Sequence, residues 1–247
     1  MSLTYLPLEI LTKITKYLAA IDILNLSISC QQFREIVHIT KFTEKISFGE
    51  IYDLPYFDSF VNIIYGLTPG REFRLPRKLK SLYWFSDELL PESFPDTLEC
   101  LVMAWSYNHS LDHLPDSLIH LELSWKWNLA LQRLPANLKY FKIGHFFNRP
   151  LPQLPATLEY LKLGYYFNQP LSQLPITLLV LKLGYYYNYP LPLLPKSLTH
   201  LKLNTYYRHP LPLLPDSLVN VYLYHAYQWP LPPSSNANFH LTWKSEF

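Results

Sequence analysis

The chain has 247 residues, of which 49% are hydrophobic and 16% are charged, and its formal net charge is +2. This composition suffices for a sizeable core and excludes a disordered or fibrous chain. No long basic run of the kind that dominates nucleic-acid binding occurs, so a nucleic-acid partner is not expected. The N-terminal residues do not match a signal peptide, and Cys30 and Cys100 lack disulfide or metal-ligand spacing. These features predict an intracellular, cytoplasmic protein without membrane contact or cofactor.

Three short helices are predicted over residues 6–37. The first begins at Pro7, a residue tolerated in the first helical turn, and its apolar residues recur every three or four positions. Asp22 can cap a second helix, and Ser29 with Gln32 has the form of a capping box before a third. Because so short a helical unit is rarely stable alone, a partner or the rest of the chain must cover its apolar side chains.

This segment carries the ordered landmarks of a known motif: Leu6-Pro7, Glu9-Ile10 and Cys30-x-x-Phe33. Over roughly residues 4–43 it resembles the F-box, the module that docks substrate receptors onto the Skp-type adaptor of cullin-RING ubiquitin ligases. The resemblance implies that five apolar residues would lie at or near the adaptor: Leu6, Pro7, Ile10, Ile14 and Leu18. The alternative is that these helices only form a cap packed on the first repeat.

Residues 45–74 show no repeat and are predicted to form a linker and N-terminal cap. A strand is predicted over residues 46–48, and apolar residues three or four positions apart predict a helix from Tyr56 to Tyr65. The expected role of this segment is to cover the open first edge of the array that follows, as terminal units of such arrays do.

A twenty-residue period organises residues 75–233. Three apolar columns, represented by Leu158, Leu161 and Leu163, recur in each copy, and a Leu-Pro pair closes most of them. The last two columns alternate with an intervening residue, which predicts one short strand per copy with one face buried. Two prolines within six residues make the return leg of each copy non-helical.

The last strand is predicted in residues 234–247, as a C-terminal cap. There, Leu241 and Trp243 are expected to lie in register with Val221 and Leu223. The array would then contain a parallel sheet of about nine short strands.

Three strands are followed by an aromatic residue, an asparagine, a proline and a leucine, as in Phe167-Asn168-Gln169-Pro170-Leu171, and other copies keep part of this string. Stacked asparagines can satisfy backbone groups where the chain leaves the strand. A ladder is therefore predicted through the middle copies, fraying where Arg208 and Gln228 replace asparagine. Glycine recurs at three strand exits, where tight curvature is expected: Gly144, Gly164 and Gly184.

The repeat resembles leucine-rich repeats, and more closely the FNIP repeat, which is named for a Phe-Asn-Ile-Pro string. Phe147-Asn148-Arg149-Pro150 and Phe167-Asn168-Gln169-Pro170 each match three of those four letters, although the family commonly has slightly longer repeats. F-box and FNIP arrays are a known pairing in social amoebae and giant amoebal viruses. The implied fold class is α+β, with F-box helices in residues 1–44 followed by a leucine-rich-repeat-like solenoid. The short proline-rich repeat is also similar in shape to that of bacterial leucine-rich effectors.

Two columns of side chains are expected on the exposed, concave face of the sheet. Adjacent strands lie about 4.8 Å apart, so stacked lysines repel by up to about 0.8 kcal/mol per pair, and folding gains nothing from them. One interpretation is a surface for an acidic or phosphorylated segment of a target protein; the other is a solubilising residue copied as the repeats duplicated. The predicted target contacts are Tyr140, Lys142, Tyr160, Lys162, Lys182, His200 and Lys202.

No catalytic or metal-binding constellation is expected. His109 and His113 lie in a loop and return leg, where four-residue spacing does not align side chains, and Cys100 has no neighbouring base in the sequence. The aromatic residues that follow the strands, such as Tyr165 and Tyr166, are expected to serve packing more than recognition.

Together with the two resemblances, these features predict a non-catalytic substrate-recognition subunit of a cullin-RING (SCF-type) ubiquitin ligase. Its F-box would bind the Skp-type adaptor, and its solenoid would bind an unknown target protein. The alternative is a protein-interaction scaffold whose helical N-terminus only caps the solenoid.

Overall fold

The computed structural model describes residues 45–54, 57–66, 74–103, 105–232 and 237–242, with five isolated positions before them: 13, 18, 19, 22 and 23. Most of the three predicted helices therefore lies outside the described residues, as do four predicted adaptor contacts: Leu6, Pro7, Ile10 and Ile14. The fifth, Leu18, is half-buried and packs against the main hydrophobic core, to which the buried Ile23 belongs.

Within the described ranges, eleven short strands form one sheet in chain order, and every neighbouring pair is parallel. The strands are β1 (Ile46–Ser47), β2 (Asn62–Tyr65), β3 (Ser81–Trp84), β4 (Cys100–Met103), β5 (His120–Glu122), β6 (Tyr140–Lys142), β7 (Tyr160–Lys162), β8 (Val180–Lys182), β9 (His200–Lys202), β10 (Asn220–Tyr224) and β11 (Asn238–Thr242). A four-residue helix, α1 (Phe48–Ile51), follows β1, and a 3-10 helix spans Phe57–Ser59. The predicted parallel solenoid is confirmed.

The segment before the repeats departs from its prediction. The helix predicted from Tyr56 to Tyr65 is wrong, because its described part forms the 3-10 helix and then β2. Alternate side chains of β2 are buried, and its backbone pairs with both β1 and β3, so the sheet supplies the hydrogen bonds that a helix would form internally. The strand predicted over residues 46–48 is two residues long, since Phe48 begins α1. The nine strands predicted for the array are present as β3 to β11, and β1 and β2 extend the sheet to eleven described strands.

The C-terminal strand exists, but its predicted register is wrong. In β11, Phe239 pairs with Val221 and Leu241 pairs with Leu223, so the twenty-residue period shortens to eighteen at this step. A shift of two residues leaves every side chain on the same face, and alternation therefore cannot distinguish the two registers. Phe239 packs against the core and Leu241 is exposed, while Trp243 lies outside the described residues.

One continuous hydrophobic core runs along the array. The three predicted columns are buried, with Leu158 and Leu161 fully inaccessible, and each buried leucine stabilises the fold by about 1.5–3 kcal/mol. The aromatic residues of six strand exits, from Tyr107 to Tyr207, form a fourth buried column. The return leg closes on a turn in which Leu158 N–H donates to the Pro155 carbonyl at 3.1 Å. No described return leg is helical, as predicted.

The predicted asparagine ladder is present. The backbone N–H of Asn168 donates to Asn148 Oδ1 at 2.9 Å, and that of Asn188 donates to Asn168 Oδ1 at 2.9 Å. Arg208 N–H still donates to Asn188 Oδ1, but an arginine has no acceptor to offer the next coil, so the ladder ends there. Each rung thus joins one coil to the next.

The strand-exit glycines are required by close approach of consecutive coils. A Cβ on Gly164 would lie 1.9 Å from the carbonyl oxygen of Gly144, and a Cβ on Gly144 would lie 1.8 Å from that of Ser124. A second set of rungs, which the sequence prediction missed, precedes the strands: Thr157 Oγ1 donates to the Leu138 carbonyl and Thr177 Oγ1 to that of Leu158, both at 2.9 Å.

Candidate functional site

The exposed face of the sheet carries two columns in the predicted register. Lys142, Lys162, Lys182 and Lys202 follow one another across β6 to β9 and form the lysine column. One position earlier in the strands runs a second column, which changes from aromatic to aliphatic to imidazole along the array: Tyr140, Tyr160, Val180 and His200. All seven predicted target contacts lie in these two columns and are half-buried.

The lysine column is neutralised at its amino-terminal end. Glu122, the residue of β5 that aligns with this column, accepts a hydrogen bond from His120 Nε2 at 3.1 Å and one from Lys142 Nζ at 2.6 Å. These contacts, led by the bond from His120, lower the pKa of Glu122 to about 2 against the opposing effect of burial. The carboxylate is therefore fixed in its charged form and shared between two donors.

The next lysines are not neutralised in this way. Among the described residues, no carboxylate forms an ion pair with Lys162 or Lys182. Burial and then the charges of Lys142, Lys182 and Lys202 lower the pKa of Lys162. Lys182 Nζ instead lies 5.2 Å from the centre of the Tyr160 ring, a cation–π contact. An anionic group placed over this stretch would relieve the repulsion between the ammonium groups.

The tyrosines of the second column are part of a ring stack. The rings of His120 and Tyr140 lie 4.1 Å apart and those of Tyr140 and Tyr160 lie 4.3 Å apart, both nearly parallel. Burial, followed by the proximity of Tyr160, raises the pKa of the Tyr140 hydroxyl. Neighbouring rings therefore cover both faces of the Tyr140 ring, whereas the Tyr160 ring has Tyr140 on one side and the Lys182 ammonium group over it.

A further aromatic stack runs along the side of the lysine column where the strands end. We call it the rim column, and it comprises Trp105, Trp125, His145, Tyr165 and Tyr185. Its neighbouring ring centres are 4.0–5.1 Å apart and its rings are within 12° of parallel. The expectation that these residues pack is thus met, although Trp105 and His145 were not assigned to the column from the sequence. Successive shifts of twenty residues lead from Trp105 to Trp125, His145 and Tyr165, so the period also aligns these two residues.

The rim column and the lysine column border an open groove of about 360 Å³. Its lining combines exposed aromatic rings with charged side chains, including Phe85, Trp105, Trp125, Glu122, Lys142 and Lys162. Apolar contact surface and fixed charge in one groove are the elements by which proteins bind extended segments of other proteins.

The residues considered for catalysis do not converge. His109 Nε2 donates to the Asp87 backbone carbonyl at 2.9 Å, and burial raises the pKa of the Cys100 thiol, the opposite of what a reactive thiolate needs. Within the described ranges, no group of three or more His, Cys, Asp or Glu side chains is arranged to hold a metal ion. Nor is any helix of that part of the chain long and apolar enough to span a bilayer.

An F-box-like family model matches residues 3–48, and an FNIP Repeat model matches residues 147–186. The chain carries FNIP repeats behind an F-box-like segment. Both resemblances stated from the sequence are therefore confirmed, whereas the search of curated proteins found no match.

Four chains of known structure match. One is the crystal structure of CroV588, described as a novel circular LRR (leucine-rich repeat) protein, with 26% identity, a TM-score of 0.65, and coverage of 74% of this chain and 30% of that chain. Another is YopM from Yersinia enterocolitica WA-314, with 27% identity, a TM-score of 0.57, and coverage of 74% and 41% respectively. The chain thus spans less than half the length of either protein. The LRR-like solenoid is confirmed, and no enzyme family is indicated.

Proposed function

We propose that this protein is a substrate-recognition subunit of an SCF-type cullin-RING ubiquitin ligase. Its F-box-like segment binds the Skp-type adaptor, and its solenoid binds a target protein on the exposed face of the sheet. The protein performs no chemistry itself and acts inside the cell, in the host cytoplasm if it is viral. Its partners are proteins, with neither nucleic acid nor membrane involved.

The observation that carries the proposal is the order of the two matched segments. An F-box-like match at residues 3–48 precedes an array whose exposed sheet face carries Lys162 and Lys182, for which the described part of the chain supplies no carboxylate partner. A module of the first kind supplies attachment to an adaptor, and a solenoid supplies an extended surface for a second protein. Both are needed if one chain is to bring a target to a ligase.

Capture of the Skp-type adaptor tests the attachment. The full-length chain is expected to retain purified adaptor on beads, and a variant carrying Pro7→Ala and Ile10→Ala is expected to lose it. The matched control is Ile176→Ala with Pro192→Ala, which removes the same two residue types from the partly exposed return legs. Equal capture by both double variants, or no capture by the wild-type chain, would contradict the proposal.

A second function has one observation in its favour. Ile23, within the predicted second helix, is buried in the solenoid core, and Leu18 packs against that core. A cap on the first coils makes these contacts without any adaptor. If the wild-type chain fails to capture the adaptor and shortening it by residues 1–44 lowers the stability of the solenoid, the protein is an interaction scaffold with a helical cap.

A further inference from the structure

We propose that the groove between the rim column and the lysine column binds an extended acidic protein segment, and that an aromatic or large apolar side chain of this segment is anchored on Trp105. The inference rests on the proposed target-binding role of the solenoid. It adds to that role the site of the anchor and its spacing from the acidic residues.

Trp105 is the open end of the rim column. One face of its indole stacks on Trp125 with ring centres 5.1 Å apart, yet 70% of the residue is exposed. Trp125, His145 and Tyr165 each have a stacked ring on both sides. Trp105 is therefore the member of the stack with an uncovered indole face.

The preceding coil explains why this face is open. Trp84 pairs with Met103, so the residue that aligns with Trp105 is Ser86, whose small buried side chain accepts a hydrogen bond from Glu88 N–H. A serine at this position leaves a step in the wall of the groove. Phe85, which is half exposed, lines the same groove, so a ring entering the step would meet apolar surface as well as the indole.

The charges along the groove select the rest of the segment. Glu122 occupies the part of the groove nearest the anchor and already holds Lys142. Acidic groups are therefore repelled next to the anchor. They are attracted further along, over Lys162 and Lys182, where the described residues supply no carboxylate partner. The groove thus favours an anchor at one end and acids at the other.

The spacing of the strands predicts how many residues separate the anchor from the acidic residues in the bound segment. Trp105 follows β4 and Lys162 lies in β7, three strands away, which corresponds to about 14 Å at about 4.8 Å per strand. A segment crossing the strands in extended conformation advances about 3.3 Å per residue, so about four residues separate the anchor from the first acid. Lys202, in β9, extends the acidic stretch to about the seventh residue from the anchor.

Stacking rings and lysines also suit single-stranded nucleic acid, which is an alternative occupant. Glu122 in the groove and the net charge of only +2 favour the acidic protein segment. A thymine oligonucleotide therefore serves as a comparison probe.

Selection from a random peptide library tests the proposal without knowledge of the target. The full-length chain is used to select peptides of about twelve residues, long enough to cross the groove at about 3.3 Å per residue. Enriched peptides are expected to carry an aromatic or large apolar residue, two or three neutral residues, and then acids between about the fourth and seventh positions from it. Enrichment of acids at no fixed distance from an apolar residue would overturn the anchor.

Variants then locate the bound peptide. Trp105→Ala is expected to weaken the affinity for a selected peptide by at least about tenfold, because tryptophans that become buried on binding contribute much of the affinity of such interfaces. Trp105→Phe is expected to retain most of the affinity. Trp229→Ala, which removes another exposed tryptophan far along the chain, should leave it unchanged. Equal binding by Trp105→Ala and wild type would overturn the anchor, as would tighter binding of the oligonucleotide than of any selected peptide.

The outcome is separable from that of the proposed ligase function. Adaptor capture is measured on the same protein preparation and depends on the F-box-like segment. Loss of adaptor capture with normal peptide binding contradicts the ligase role alone. Normal adaptor capture with no enriched acidic peptide contradicts the groove proposal alone.

Discussion

The strand exits and the exposed strand face belong to the same repeat but differ in how their polar groups are satisfied. At the exits, Asn168 takes a hydrogen bond from the next coil, and Gly164 allows the preceding carbonyl to approach closely. On the face, Lys162 and Lys182 follow one another with no carboxylate pairing them among the described residues. The exits are therefore specified by folding, whereas Lys162 and Lys182 contribute little to it and are available for a partner.

The largest effect is expected at the exits, from Gly164→Ala. The new Cβ would lie 1.9 Å from the Gly144 oxygen and 2.9 Å from its carbonyl carbon, so consecutive coils must separate. We expect the free energy of unfolding in urea to fall by about 3 kcal/mol. The matched control is Gly66→Ala, where no atom lies within 4 Å of the added Cβ. Equal losses in both variants would show that coil contact is not what excludes the side chain.

The next largest effect is expected at the neutralised end of the face, from Glu122→Gln. Glutamine keeps an acceptor oxygen but carries no charge, so Lys142 loses its ion pair, and we expect a loss of about 1–2 kcal/mol at pH 7. Glu99→Gln, which breaks a more exposed ion pair with Lys80, is the control and should cost less.

The lowered pKa of Glu122 also predicts that the free energy of unfolding depends on pH. Its folded-state pKa of about 2 lies below its ordinary value of 4.5, so its stabilising contribution is complete above about pH 4.5 and disappears as the pH falls towards 2. The difference in unfolding free energy between wild type and Glu122→Gln should therefore shrink across this window. A constant difference from pH 7 to pH 2 would contradict the assignment.

A smaller effect is expected from Asn168→Ala, which removes the acceptor for Asn188 N–H. We expect a loss of about 1 kcal/mol in the free energy of unfolding. Asn168→Asp keeps an acceptor oxygen and should retain most of the stability, and Gln228→Ala, beyond the end of the ladder, should have little effect. If all three variants unfold at the same urea concentration, the ladder does not stabilise the coils.

The smallest effect, and one of opposite sign, is expected from Lys162→Met. Removing one ammonium group relieves repulsion and should raise the stability by a few tenths of a kcal/mol at low salt. The pKa of Lys162 is lowered in the folded state, so the wild-type chain should gain stability as the pH rises through that lowered pKa, and the variant should not. Lys196→Met, on a return leg, is the control; a destabilised Lys162→Met would mean that folding uses the column.

The repeat itself could be predicted from the sequence because each column has one physical requirement repeated many times. Apolar residues at Leu158 and Leu161 mark burial, and the asparagine at Asn168 marks a coil-to-coil bond. The hydroxyl rungs were equally regular at Thr157 and Thr177 but were missed, since a serine or threonine before a strand has many other uses.

The ends of the array could not be predicted in the same way. The spacing of apolar residues in β2 also fits a helix, and this segment forms a strand because its backbone pairs with β1 and β3. At β11 two registers two residues apart bury the same face. The open indole of Trp105 was missed for a related reason, because its exposure depends on Ser86 in a coil that is out of step by one residue.

The most direct test is a crossed binding measurement on three full-length proteins: wild type, Pro7→Ala with Ile10→Ala, and Lys162→Glu with Lys182→Glu. Each is assayed for capture of the purified Skp-type adaptor and for binding of one acidic peptide selected on the wild-type chain. If adaptor and target bind to independent surfaces, the Pro7 and Ile10 variant loses only adaptor binding. The Lys162 and Lys182 variant then loses only peptide binding. Loss of both ligands by either folded variant, or of neither by both, would contradict the separation of adaptor attachment from target binding.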